Sequence, residues 1–239
     1  TASNNTAVGR DAMIANTTGA SNTAVGALAL DANTTGTENV AVGYGTLGAN
    51  TTGIDNTAIG ASALTYNTTG SHNSGLSRAT LVNNTTGSYN TAAGKSALQS
   101  NTTGAYGVAV GYQALQSNTT GAENVASGYA SLYTNTTGAN NVAYGNSSLR
   151  YNTTASNNSA FGKDALRANT TGAYNTALGG SALAAATTAI FNTAVGYKAL
   201  TTTVTGQENT AVGMEALKVN TAHYNTAVGA KALTANTTG

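Results

Sequence analysis

The chain repeats itself every seventeen residues, and that period limits it to one kind of architecture. "NTAVGALALDANTTGTE" (Asn22 to Glu38) is followed by "NVAVGYGTLGANTTGID" (Asn39 to Asp55) and then by "NTAIGASALTYNTTGSH" (Asn56 to His72). Numbering the first Asn as column one, the consensus is N-T-A-V-G-x-x-A-L-x-x-N-T-T-G-x-x. Fourteen copies start at residues 5, 22, 39, 56, 73, 90, 107, 124, 141, 158, 175, 192, 209 and 225. The last start would be 226 if every step were seventeen, so one residue is missing, within "NTAHYN" (Asn220 to Asn225). A fixed period of this size is the signature of a solenoid, in which each unit packs on its neighbours.

The period runs through residues 1–239 without a linker, so the whole chain reads as a single repeat array. It starts in mid-repeat (Thr1 to Asn5 match Thr154 to Asn158 in phase) and stops at "NTTG". Solenoids need polar caps, so the array is expected to be an excerpt of a longer fibre or to be covered by other domains or chains. Composition narrows its function. A net charge of +1 leaves no electrostatic footprint for nucleic acid or an anionic membrane. The absence of Cys excludes disulfides and thiolate metal sites, and no apolar run is long enough to span a bilayer.

The columns divide by what they tolerate. Column five is Gly except for Ser77, column three is Ala except for Gly75, and column nine is Leu except for Met13. Column four is mostly Val, Ile or Leu. All seventeen charged residues fall on columns six, seven, ten and seventeen, which should therefore face water. Columns two to four read as a short strand with side chains alternating between faces. A column restricted to Ala suggests close packing on its side too, so both faces of the strand are expected to be buried. The Ala column is then the expected surface for self-association. In column four Ser127 precedes Tyr144 and Phe161, as stacked core layers of constant volume would require. Columns six to eleven place charged residues on one side at 100° per residue, which predicts one helical turn. "NTTG" turns the chain, with Asn and Gly supplying the turn chemistry.

"NTAVG", with its variants "NVAVG" (Asn39 to Gly43) and "NTAIG" (Asn56 to Gly60), is similar to the S-V-A-I-G-type repeat of YadA-like trimeric autotransporter adhesin heads. Similar repeats occur in phage tail fibres and related fibrous surface proteins. The resemblance spans the chain, five residues per copy. It implies a left-handed parallel β-roll, association of three chains, and a head that binds host-surface or matrix ligands. The family repeat is shorter, around fourteen residues, with a second strand where this sequence predicts a helical turn.

Little here supports catalysis, a metal or a cofactor. His72 and His223 lie nine repeats apart, and the carboxylates are scattered over the outward columns with no paired spacing. "GYG" (Gly43 to Gly45) reads as a solenoid turn and not as a phosphate loop. Tyrosine recurs in column six (Tyr44, Tyr112, Tyr129, Tyr197) and column seventeen (Tyr89, Tyr106, Tyr174, Tyr224). Those rings either present a flat aromatic surface for glycan or protein contact or lie over neighbouring coils, the reading we favour. "NTT" in column twelve gives N-x-[ST] acceptors at Asn16, Asn33, Asn50, Asn67, Asn84, Asn101, Asn118, Asn135, Asn152, Asn169 and Asn236. They are either a row of glycosylation sites or an internal Asn ladder of the kind seen in stacked β-structures, which we favour. The Thr pairs offer a third reading, an ice-binding face.

The sequence thus predicts an all-β or mostly β chain, a parallel β-solenoid of fourteen 17-residue coils about 65 Å long. The expected role is a non-catalytic fibre segment of a cell-surface adhesin, extracellular filament or phage tail fibre, homotrimeric, giving rigidity and multivalent display. The alternative is a ligand-binding solenoid that takes glycans through tyrosines or ice through threonines.

Overall fold

The computed structural model describes residues 2–237. The chain is a parallel β-solenoid whose coils each contribute one three-residue strand, and no helix occurs among the described residues. It divides into two compact units, Thr1–Thr120 and Gly121–Gly239. In the first, β1 (Thr6–Val8), β2 (Thr23–Val25), β3 (Val40–Val42), β4 (Thr57–Ile59), β5 (Ser74–Leu76), β6 (Thr91–Ala93) and β7 (Val108–Val110) pair in chain order. In the second, β8 (Val125–Ser127), β9 (Val142–Tyr144), β10 (Ser159–Phe161), β11 (Thr176–Leu178), β12 (Thr193–Val195) and β13 (Thr210–Val212) do the same. There β14 (Val219–Asn220) and β16 (Ala235–Asn236) form a small second sheet, and β15 (Thr226–Val228) pairs with β13. Every pairing joins equivalent columns, as in Thr6↔Thr23, Ala7↔Ala24 and Val8↔Val25.

The helical turn expected over columns six to eleven is absent, and the backbone shows why. Columns seven, nine and seventeen take positive φ in coil after coil, as at Ser62 (59°), Leu64 (53°) and His72 (58°). Residues with a Cβ avoid that region by about 1–2 kcal/mol each, so something must compensate. These residues reverse successive peptide groups along the coil axis. The Leu30 N–H donates to Thr46 O in the next coil (3.0 Å), whereas the Leu28 N–H donates to Arg10 O in the preceding one (3.0 Å). A helical turn would close its hydrogen bonds within one coil and leave nothing to stack. Here the turn, like the strand, bonds mainly to its neighbours.

The interior is narrow. Ala in column three, Ala, Thr or Ser in column eight and Leu in column nine point inward, and from Leu30 to Leu217 every column-nine Leu is fully buried. This reverses the expected role of the Ala column: it fills the inside of each coil and offers no surface for association. Small side chains fill the space beside Leu, Ala in column three and Ala, Thr or Ser in column eight. Columns two and four face out instead, and the Tyr144 and Phe161 rings stack on the surface, centroids 6.4 Å apart, rather than compensating within a core.

The rest of the interior is amide. In column one, Asn56 Nδ2 donates to Asn39 Oδ1 (3.1 Å), and the same oxygen accepts the Asn56 backbone N–H (3.0 Å). In column twelve, Asn67 Nδ2 donates to Asn50 Oδ1 (2.8 Å). The two ladders meet, because Asn56 and Asn67 both donate to the carbonyl of Gly70 (2.9 Å each). A Cβ on Gly70 would lie 2.5 Å from Asn67 Oδ1 and 2.4 Å from Gly87 O, a close approach that favours glycine in column fifteen, although Ala155 and Ala189 fill the same place and accept from the corresponding amides. The missing residue falls in the arc between the ladders. Ala222 O takes over the glycine carbonyl, accepting from Asn209 (3.1 Å) and Asn220 (2.9 Å), and the next strand returns in register.

Two defects generate predictions. Ser77 carries φ 137° in the column otherwise occupied by Gly at φ 117–139°, a conformation natural only to glycine. Ser77→Gly should raise stability by about 1 kcal/mol, measured as an increase in melting midpoint. Ala186 interrupts column twelve and leaves Asn169 Oδ1 buried without a donor. Thr203 interrupts the same column one coil on, so Ala186→Asn combined with Thr203→Asn should restore the rungs and add about 1 kcal/mol, whereas Asn101→Ala, which breaks an intact rung (2.7 Å to Asn84 Oδ1), should cost about 1–3 kcal/mol.

Candidate functional site

The outer surface offers three features: the strand face, the aromatic columns and one local notch. On the strand face, the first unit shows Val8, Val25, Val42, Ile59, Leu76, Ala93 and Val110 in column four, flanked by Thr, Val or Ser in column two. Val8, Val25, Ile59, Leu76 and Val110 are 38–58% exposed, far from the burial expected of a core column. None of the seventeen charged residues lies in these columns or is buried, so the face is uncharged, with apolar column-four side chains beside the Thr and Ser of column two. Pairing in register makes it regular, with a rung about every 4.8 Å.

Most of the column-twelve acceptors lie inside. Asn33, Asn50, Asn67, Asn84, Asn101, Asn118, Asn135, Asn152 and Asn169 are buried, and Asn16 and Asn236 are half-buried. Their amides hold the ladder; they do not form an outward row for sugars. The threonine pair is split in the same way. The column-thirteen hydroxyl donates to the next coil, as Thr34 does to Thr51 O (3.0 Å), and from Thr34 to Thr170 that column is half-buried while column fourteen is exposed.

All eight column tyrosines are exposed, Tyr44, Tyr112, Tyr129 and Tyr197 among them. Several lie over neighbouring coils. His72, Tyr89 and Tyr106 form a continuous stack (4.7 and 5.1 Å between centroids), and Tyr174 stacks on Phe191 (4.9 Å). Lys95 sits over Tyr112 (5.9 Å) and Lys198 over Tyr197 (5.1 Å). His72 also faces Asp55 (3.6 Å), and His223 Nδ1 accepts the Gln207 N–H (3.1 Å). The described residues contain no group of three His, Cys, Asp or Glu able to hold a metal, and no helix long and apolar enough to cross a membrane.

Tyr44 has a different setting. The third coil carries Gly45 in column seven and Gly48 in column ten, the one copy with glycine at both. The missing side chains leave a notch of about 300 Å³ with backbone as its floor. Leu28 and Asp31 of the second coil stand on one side, Ser62 and Thr65 of the fourth on the other, and Tyr44 and Tyr66 flank it. Asp31 Oδ1 lies 3.2 Å from where a Gly48 side chain would start, so the carboxylate leans over the floor. Sequence reasoning named Tyr44 but missed Asp31, Gly48 and Tyr66. The available signal was the double glycine in "GYGTLG" (Gly43 to Gly48).

Among the ion pairs, Lys218 Nζ donates to Glu215 Oε1 (2.9 Å), and this bond holds the Glu215 carboxyl below the ordinary carboxylate range. Its stabilising effect is present at neutral pH and is lost as pH falls through the lowered value. Lys218→Ala should return Glu215 towards the ordinary range in a carboxyl-carbon NMR titration.

Comparison of the chain with protein-family models, curated proteins and solved structures finds no match in any of the three.

Proposed function

We propose that this chain is a non-catalytic structural segment of a surface fibre, of an adhesin, an extracellular filament or a phage tail, in which three copies associate through the outward strand face. One observation carries this reading: columns two and four form a charge-free sheet face with a row of apolar column-four side chains that nothing among the described residues covers. Seven rungs give this face about 33 Å of length in one unit, and column four supplies an exposed apolar side chain at five of them, Val8, Val25, Ile59, Leu76 and Val110. Charges are confined to columns six, seven, ten and seventeen, so copies can approach face to face without desolvating one. The resemblance of "NTAVG" to YadA-like heads supports the number three and a location outside the cell or on a virion. Rigidity follows from coils bonded to both neighbours, and display from fourteen equivalent outer arcs. A second reading, a ligand-binding solenoid, draws on the notch beside Tyr44.

Native mass spectrometry of the purified chain tests the assembly. The expected mass is that of three chains. Ile59→Lys combined with Val110→Lys should give monomers with an unchanged melting midpoint, because exposed substitutions shift stability by only about 0.5 kcal/mol whereas an unpaired charge in an apolar interface is strongly disfavoured. A wild-type monomer, or a trimer indifferent to both lysines, would overturn this interface.

A further inference from the structure

We infer that the notch in the third coil is a binding site for one neutral pyranose ring. The inference goes beyond the fibre role and does not rest on it, since the notch uses columns six, seven, ten and eleven and leaves the strand face free.

Four observations converge. First, the space is local and ring-sized: about 300 Å³ lies at the lower end of small-ligand sites. With coils about 4.8 Å apart, removing the side chains of one coil opens a slot about two spacings high, which admits a sugar ring edge-on. Second, Tyr44 and Tyr66 are 58% and 55% exposed and, among the described residues, have no stacking partner, unlike Tyr89, Tyr106 and Tyr174. Such rings offer apolar faces to the C–H groups of a sugar.

Third, the polar groups offer both hydrogen-bond directions. The Asp31 carboxylate only accepts, and among the described residues it has no ion-pair or side-chain hydrogen-bond partner. The Ser62 hydroxyl, equally unengaged, can donate, while Thr65 already donates to Gly45 O (3.2 Å). Adjacent sugar hydroxyls satisfy a carboxylate with two donors and accept from Ser62; a lone ammonium would use the carboxylate and leave the hydroxyl idle. Fourth, residues 22–72 hold three carboxylates, Asp31, Glu38 and Asp55, and no Lys or Arg. That local charge disfavours sialic or uronic acids and selects neutral rings.

The test is saturation-transfer NMR on the 239-residue chain with methyl glucoside, methyl galactoside and methyl mannoside, and with choline and N-acetylneuraminic acid as charged counter-probes. At least one neutral pyranoside should give transfer to its ring protons, and neither charged probe should. Gly45→Ser with Gly48→Thr should abolish the signal by filling the notch. The array already carries those residues in those columns as Ser62 and Thr65, and Gly45 (φ 61°) and Ser62 (φ 59°) share a backbone conformation. Asp31→Asn, which keeps the shape, should weaken binding by about tenfold, and the surface variant Tyr66→Ala should do the same should the filled notch fail to fold. Silence from all three pyranosides, binding of choline in their place, or a signal that survives in the filled variant and in Asp31→Asn would each overturn the assignment.

Discussion

The fold depends on an amide clamp at the back of each coil. Two Asn side chains, one from column one and one from column twelve, converge on a single column-fifteen carbonyl while each passes a hydrogen bond along its own ladder, as Asn56 and Asn67 do around Gly70. A buried amide without partners is strongly unfavourable, so a misaligned coil loses several bonds at once. Leu alone could not impose this, because hydrophobic contact is non-directional. The ladders set the register, and with the register set, a coil needs only one Leu and two small residues to fill its other half.

From that division of labour the outer surface follows. A coil whose interior holds one large apolar side chain places its remaining β-branched residues outside, and column four carries them. The surface is then apolar on the strand side and charged on the turns, a separation that favours partners approaching the strand face. Stability in such an array is a sum over neighbouring coils, so local irregularities are affordable. The rung missing at Ala186, the serine at position 77 and the double glycine of the third coil each disturb a few contacts and leave the strand pairing around them intact.

Much of this was legible in the residues. The period gave the solenoid, the charge-bearing columns gave the wet surface, and the recurring Asn of column twelve gave the ladder. Two features were not legible, for physical reasons. Alternation places Ala24 opposite Thr23 and Val25 but does not say which side is inside, and the bulkier residues were the natural choice for a core; the space left by Leu30 decides otherwise. Positive φ at Leu30 or Leu64 has no sequence marker, because Leu is not a residue that seeks that region. The helical turn was inferred from side-chain exposure alone, and a backbone of alternating hand can present the same exposed columns. At the notch, Tyr44 stood out as one of a column, whereas Asp31 and Tyr66 gain meaning only when three coils are superposed.

The sixteen-residue coil shows where the array keeps no strict count. Between Asn220 and Asn225 one residue is absent, yet Ala222 supplies the carbonyl and Thr226 meets Thr210 on schedule. The arc from column thirteen to column seventeen therefore tolerates a change of length so long as one of its carbonyls still reaches the two amides. Recombination among near-identical repeats that drops one residue there leaves the next coil properly seated. The same arc is the natural insertion point for foreign loops, one per coil, at a fixed pitch along the stack.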